Sequence, residues 1–179
     1  MDLIEIILFI FPAYIANSAP VILSGWGPLD RNANFFGKRL FGDSKTIRGT
    51  LGGLAAGLAV GALFSYFMPF YLREYAVGEK LISYTVDQKL IITSLMVLGA
   101  ILGDLAGSFF KRRLNIGPGE PLFVTDQLLF ILTAVIFSSL YRGLFVSIYD
   151  LLVILGITLI VHVAANMIAH KLNLKKVPW

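Results

Sequence analysis

Five apolar stretches, at 3–23, 50–72, 90–110, 122–141 and 144–169, take up most of this chain of 179 residues. A helix that crosses a bilayer uses about 20 residues, so the stretches and their short joints leave no room for a second folded unit. The whole of 1–179 therefore reads as a single transmembrane domain, an all-α integral membrane protein with five transmembrane helices. None of the stretches alternates polar with apolar residues, which excludes β-barrel spans. Composition excludes a water-soluble domain as well: 57% of residues are hydrophobic and 15% charged, with a mean hydropathy of +0.80. Cysteine is absent, which removes disulfides, thiolate zinc sites and cysteine nucleophiles together. The first stretch opens with Asp2 and Glu5, not a basic region, and is expected to be a retained span and not a signal peptide.

The placement of the charges predicts the orientation. The first joint holds Arg31, Lys38, Arg39, Lys45 and Arg48, the third Lys111, Arg112 and Arg113, and the tail Lys171, Lys175 and Lys176. With five spans these eleven cations share one side, and only Arg73, Lys80, Lys89 and Arg142 fall on the other. Positive residues stay in the cytoplasm. The expected topology puts the N-terminus outside and the C-terminus in the cytoplasm, with a cationic cytoplasmic loop between the first two helices. Trp26 and Trp179 read as interface anchors. Nucleic acid is excluded as a partner, because the cations sit in short loops beside apolar spans with no basic domain to receive a duplex.

Gly49, Gly53, Gly57 and Gly61 recur every four residues, as do Gly99, Gly103 and Gly107. Each set forms a groove along one helix face where another backbone can approach, and that is packing, not chemistry. Asp104 is different. It stands inside an apolar helix, four residues before Ser108 and seven and eight before Lys111 and Arg112, so carboxylate, hydroxyl and cations share a face. An ion pair with one of those cations would satisfy it, and so would a functional cavity. Asp126, followed by Gln127, opens the next span. It could be an N-cap alone, or it could share a cavity with Asp104, in which case the two acids would bind a cation or share a proton.

The joint from Asn34 to Gly49 alternates cations with glycines. Gly37, Gly42 and Gly49 allow turns whose amides could meet phosphate oxygens, with Lys38, Arg39, Lys45 and Arg48 as counter-charge; adhesion to anionic lipids is the plainer alternative. The segment is no Walker loop, because Asp43 and Ser44 separate Gly42 from Lys45 and no strand precedes it. Acids, a divalent metal and surrounding cations at the headgroup level suit phosphoryl or nucleotidyl transfer to a lipid. Along the last span His162, Asn166 and His170 recur every four residues and read as interhelical and interfacial hydrogen-bonding groups. Asn17, between Pro12 and Pro20, reads as a partner for backbone freed by a kink.

Two segments resemble the archaeal CDP-archaeol synthases, a small branch related to the phosphatidate cytidylyltransferases. The first runs from Gly37 through Asp43, Ser44, Lys45, Thr46 and Arg48 to Gly49; the second runs from Gly103 and Asp104 through Ser108, Lys111, Arg112 and Arg113 to Pro121, Asp126 and Gln127. Gln127 and Leu129 stand where the wider family has an Arg and a final Asp, so the roles of those two groups do not carry over. Those of Asp104, Ser108, Lys111 and Asp126 do. The resemblance implies transfer of CMP from CTP to an isoprenoid ether-lipid phosphate at the membrane. It implies Mg2+ on Asp104 and Asp126, and Lys111 and Arg112 on the phosphates. Asn34, Arg39, Lys45, Thr46 and Arg48 would then close over CTP, with Gln127 beside the nucleotide. A CDP-alcohol phosphotransferase would carry a denser aspartate pattern that is absent. A small transporter would use Asp104 and His162 as a relay and spread polar groups across both halves of the bilayer.

Overall fold

The computed structural model describes residues 1, 3–72, 84–117, 120, 122, 125–141, 144 and 146–174, with 68–72 as backbone only. Asp2, Arg73, Lys80, Pro121, Arg142, Lys175, Lys176 and Trp179, which entered the sequence reading, lie outside the described residues. Within them are five helices: α1 (Leu3–Leu23), α2 (Ile47–Leu72), α3 (Val86–Arg113), α4 (Thr125–Ser138) and α5 (Ile148–Lys171). Between α1 and α2 lies a small antiparallel hairpin, β1 (Asn34–Phe35) and β2 (Lys38–Arg39), which pairs Asn34 with Arg39 and Phe35 with Lys38.

Four of these helices, all but α4, are long and apolar enough to cross a membrane. The fourth apolar stretch departs from its expected span of 122–141. Its helix has 14 residues, or about 21 Å at 1.5 Å per residue, against about 30 Å of hydrocarbon. Hydropathy continues past the helix end, but the hydroxyls of Ser138 and Ser139 both bond the Val135 carbonyl at 2.8 Å, and the chain turns there. By contrast α3 exceeds its expected 90–110. A capping box of Thr85 and Gln88 starts it early, and Lys111, Arg112 and Arg113 complement the partial negative charge of its last turn. The last helix begins at Ile148, four residues beyond the apolar boundary, because Ser147 caps it in a box with Asp150.

Glycines set the packing. A Cβ on Gly53 would lie 2.5 Å from the Ala16 carbonyl, and one on Gly57 would lie 2.8 Å from the Ala16 Cβ and 3.0 Å from Val97, so α2 runs antiparallel to α1 and closely against α3. A Cβ on Gly103 would reach 2.6 Å from the Leu129 carbonyl and 2.8 Å from the Phe130 Cα. That contact leaves α3 and α4 backbone to backbone, with Asp104 fixed beside it. The core lies between α1, α3 and α4, where Ile6, Ile10, Ala13, Met96, Val97, Ile131 and Ala134 are buried. Helix α5 lies at the edge. It buries only Asp150, Ile154 and Thr158 and presents most of its other side chains outward.

Candidate active site

The loop between α1 and α2 is folded by its own contacts. The amides of Leu29, Ile47 and Arg48 donate to the carbonyls of Lys45, Gly27 and Gly25, at 2.7, 3.1 and 3.1 Å. Asp30, 7% exposed, is the centre of the loop. Its carboxylate accepts from Arg39 Nη2 at 2.7 Å and Nε at 3.2 Å, and from the amides of Asn32, Phe41 and Gly42 at 3.1 Å each. The Arg39 guanidinium, aided by those amides, holds the Asp30 carboxyl well below the usual carboxylate range. Gly42, at φ +87°, is what lets its amide turn toward Asp30.

These contacts account for several residues that the sequence assigned to nucleotide. Arg39 belongs to the Asp30 clasp and to an ion pair with Asp43 at 3.1 Å. Thr46 caps α2, accepting from the amides of Gly49 and Gly25 at 3.1 Å each. Asn34 is exposed in the hairpin and Arg48 is exposed at the start of α2; neither lines the cavity described below. The amides of Gly42 and Gly49 are likewise taken by Asp30 and Thr46, so the turns build the loop and do not offer those amides to an anion. Arg113 closes the assembly. Its guanidinium bonds the carbonyls of Phe35, Lys38 and Arg39 and lies 4.7 Å from the Phe109 ring centre, while Lys38 Nζ returns a bond of 2.8 Å to the Arg113 carbonyl.

The remaining candidates converge. Lys45, Asp104, Ser108, Lys111, Arg112, Asp126 and Gln127 all line one cavity of about 930 Å3. Lys45 Nζ bonds both carboxylate oxygens of Asp104 at 2.6 Å. Lys111 Nζ bonds Asp126 Oδ2 at 2.7 Å, and that oxygen also accepts from the Leu122 amide at 3.0 Å. Neither pair is sealed: Asp104 and Asp126 remain 30% and 31% exposed. The Ser108 hydroxyl bonds the Asp104 carbonyl at 3.1 Å along its own helix. Arg112 Nη2 bonds the Gly117 carbonyl at 3.2 Å, and its buried Nε finds no partner among the described residues. Away from this charged end the cavity runs between α1 and α5, where Ile7, Ile10, Phe11 and Ile157 make it apolar.

The donor set fits Mg2+ in one particular way. Among the described residues no three or more acids or histidines cluster as a metal group. Two carboxylates on a common cavity match the way Mg2+ is usually held, with one or two protein carboxylates and phosphate or water completing the shell. Each carboxylate now accepts from a lysine, and a polyphosphate would offer those lysines another acceptor.

Sequence reasoning missed Asp30, and it counted Arg113 among the cations without its bonds to the hairpin carbonyls. Asp30 carries one local signal, an Asx turn to the Asn32 amide; its other partners are brought to it by the loop fold. We expect Asp30→Ala to lower the melting temperature by several degrees, because five N–H donors on four residues lose their acceptor and the loop that carries Lys45 loosens. A depressed carboxyl pKa stabilises wherever the unfolded chain is also ionised, above about pH 4, and that contribution fades as pH falls below this toward the folded value. Melting curves from pH 5 to 8 should therefore keep a constant gap between wild type and variant; a gap that closes within this range would contradict the clasp.

Comparison with known proteins bears on this geometry directly. A family model described as CarS-like, CDP-archaeol synthase, matches residues 1–179. The CDP-archaeol synthase of Pyrococcus furiosus is 39% identical over 178 residues, covering 99% of this chain and 98% of its own. That of Methanococcus maripaludis is 38% identical over 185 residues, covering 100% of each. A solved structure described as an intramembrane enzyme for archaeal membrane lipids biosynthesis superposes with a TM-score of 0.76 at 36% identity, covering 92% of this chain and 94% of its own.

Proposed function

The chain belongs to the CDP-archaeol synthase family, and from that premise we propose that it transfers CMP from CTP to a digeranylgeranyl glycerol phosphate and releases pyrophosphate. One observation carries the reading: a single cavity has two lysine–carboxylate pairs at one end and an apolar arm between α1 and α5 at the other. A ligand that fits such a cavity has phosphates at one end and hydrocarbon at the other.

The chemistry asks little of a general base, because the attacking group is already a phosphate oxyanion. An oxygen of the lipid phosphate attacks the α-phosphorus of CTP, the bond to the β-phosphate breaks, and pyrophosphate leaves with no net proton to place. The chain's contribution is positioning and charge neutralisation. Lys111 and Arg112 project from the rigid end of α3 toward the phosphates, and the Arg112 Nε–H, without a partner among the described residues, is a donor suited to one of their oxygens. Lys45, on the loop, moves from Asp104 to the triphosphate as CTP enters. Asp104 and Asp126 are the residues that would hold Mg2+, which when bound offsets charge on the triphosphate. Gln127 stands beside Asp126 as a neutral donor and acceptor for the nucleotide, while Ser108 keeps α3 and its carboxylate in place.

The proposed topology keeps five crossings, with the N-terminus outside, the C-terminus in the cytoplasm and the site facing the cytoplasm. The eleven-to-four partition of Lys and Arg supports it. The short α4 packs closely against α3 at Gly99 and Gly103, so on that side it faces protein and not lipid. The decisive assay incubates the purified protein with labelled CTP, Mg2+ and either ether- or ester-linked lipid phosphate. The expected products are a CDP-lipid and pyrophosphate in equal amounts. Absence of product with every lipid phosphate would overturn the reading.

A further inference from the structure

Three polar side chains line the cavity between its charged end and its apolar arm: Asn17 on α1, and His162 and Asn166 on α5. On α5 they continue a single face. Asp150, Ile154 and Thr158 are that helix's buried residues, and His162 and Asn166 follow at the same four-residue spacing, half-buried, whereas Ile160 and Val163 beside them are 73% and 45% exposed. This face packs against the bundle as far as Thr158 and fronts the cavity beyond it.

The depths can be read from cross-contacts. The hydroxyls of Tyr14 and Thr158 meet at 2.8 Å and the Met1 amine meets Asp150 at 3.0 Å, so α1 and α5 run parallel; the long Tyr14 side chain reaches back along α1 to make its contact. Asn17 is three residues past Tyr14 and sixteen past Met1, while His162 is four past Thr158 and twelve past Asp150, so Asn17 falls within the depth spanned by His162 and Asn166, which is about one turn nearer the charged end. The Phe130 ring lies beside both Tyr14, at 5.8 Å, and His162, at 6.1 Å, so the cavity wall there is aromatic. Ala16 is level with Val97 across Gly57. Asp104 lies seven residues further along α3, so Asn17 is about 9 Å deeper than the carboxylate.

The part of a lipid phosphate that would occupy this depth is the glycerol backbone. Its ether oxygens accept hydrogen bonds and never donate. Both asparagines carry amide N–H donors, and a histidine keeps at least one ring N–H in either tautomer. A purely hydrocarbon ligand would gain nothing from them. We propose that Asn17, His162 and Asn166 form a donor subsite for the glycerol oxygens of the lipid phosphate, setting how deeply the lipid seats and so where its phosphate stands relative to Asp104 and Lys111. The inference rests on the cytidylyltransferase reading.

Steady-state kinetics of Asn17→Leu, His162→Leu and Asn166→Leu test it. Each should raise KM for the ether-lipid phosphate about tenfold and leave KM for CTP unchanged. His162→Gln, which keeps an N–H donor, should recover most of the affinity lost in His162→Leu. Geranylgeranyl monophosphate, which has the phosphate and the chain but no glycerol oxygens, should compete equally well in wild type and variants. The subsite is overturned if KM for the lipid is unmoved in all three. It is equally overturned if KM for CTP moves in step, or if the competitor weakens as much as the substrate. Wild-type protein that makes no CDP-lipid would defeat the cytidylyltransferase reading itself, whereas normal wild-type turnover with indifferent variants would defeat the subsite alone.

Discussion

Asp104→Asn is expected to lower CDP-lipid formation at least about a thousandfold, the scale of losing one preorganised electrostatic group at a reaction centre. The substitution is nearly isosteric, and the amide oxygen can still accept from Lys45, which now bonds both carboxylate oxygens at 2.6 Å. Packing around Gly103 and the α4 backbone is untouched. Thermal unfolding in detergent should therefore change little while turnover collapses, and Mn2+ binding in the presence of CTP, followed by its electron paramagnetic resonance, should weaken in parallel. Asp126→Asn should behave alike in rate and in stability, because Lys111 Nζ and the Leu122 amide both donate to the single oxygen Oδ2, which an amide oxygen can replace. Near-normal turnover of Asp104→Asn with Mg2+ would show that the metal assignment is wrong.

Hydropathy and charge made the helices and the two cavity acids legible, because both are properties of single residues in a solvent-defined setting. An acid inside an apolar helix is expensive wherever it points, so Asp104 stood out before its partner was known. The partner was another matter. Helical spacing favoured Lys111 or Arg112 as the counter-ion, yet Asp104 takes Lys45 from a loop 59 positions away, and Lys111 takes Asp126. Composition likewise could not sort the loop's cations. Arg39 and Lys45 look equivalent as charges, but one is held in the Asp30 clasp and the other enters the cavity, a difference set by how residues 25–29 pair with 45–48. The length of α4 failed for a related reason. Serine hydroxyls compete for helix carbonyls, and an apolar window that averages over Ser138 and Ser139 does not register it.

Exchanging the members of one pair separates structure from chemistry. Lys45→Asp alone sets two acids face to face, and Asp104→Lys alone sets two cations together; both should lower the melting temperature. The double exchange restores an opposite-charge pair, and its coupling should be about 1 kcal/mol, since both groups are partly exposed. If the contact served only to hold the loop on α3, turnover would return with stability. We expect it to remain roughly a thousandfold below wild type, because the two positions are not equivalent. Position 104 sits on a helix held against α4 at Gly103, where a fixed anionic ligand is useful. Position 45 sits on a loop, where a long cation can leave its carboxylate and follow the triphosphate. The exchange would place a cation where the proposed Mg2+ is held and an anion where the proposed triphosphate is met. Melting curves and initial rates on the four proteins of this cycle decide between the roles, and a double variant that regains both stability and turnover would reduce the Lys45–Asp104 contact to a structural clasp.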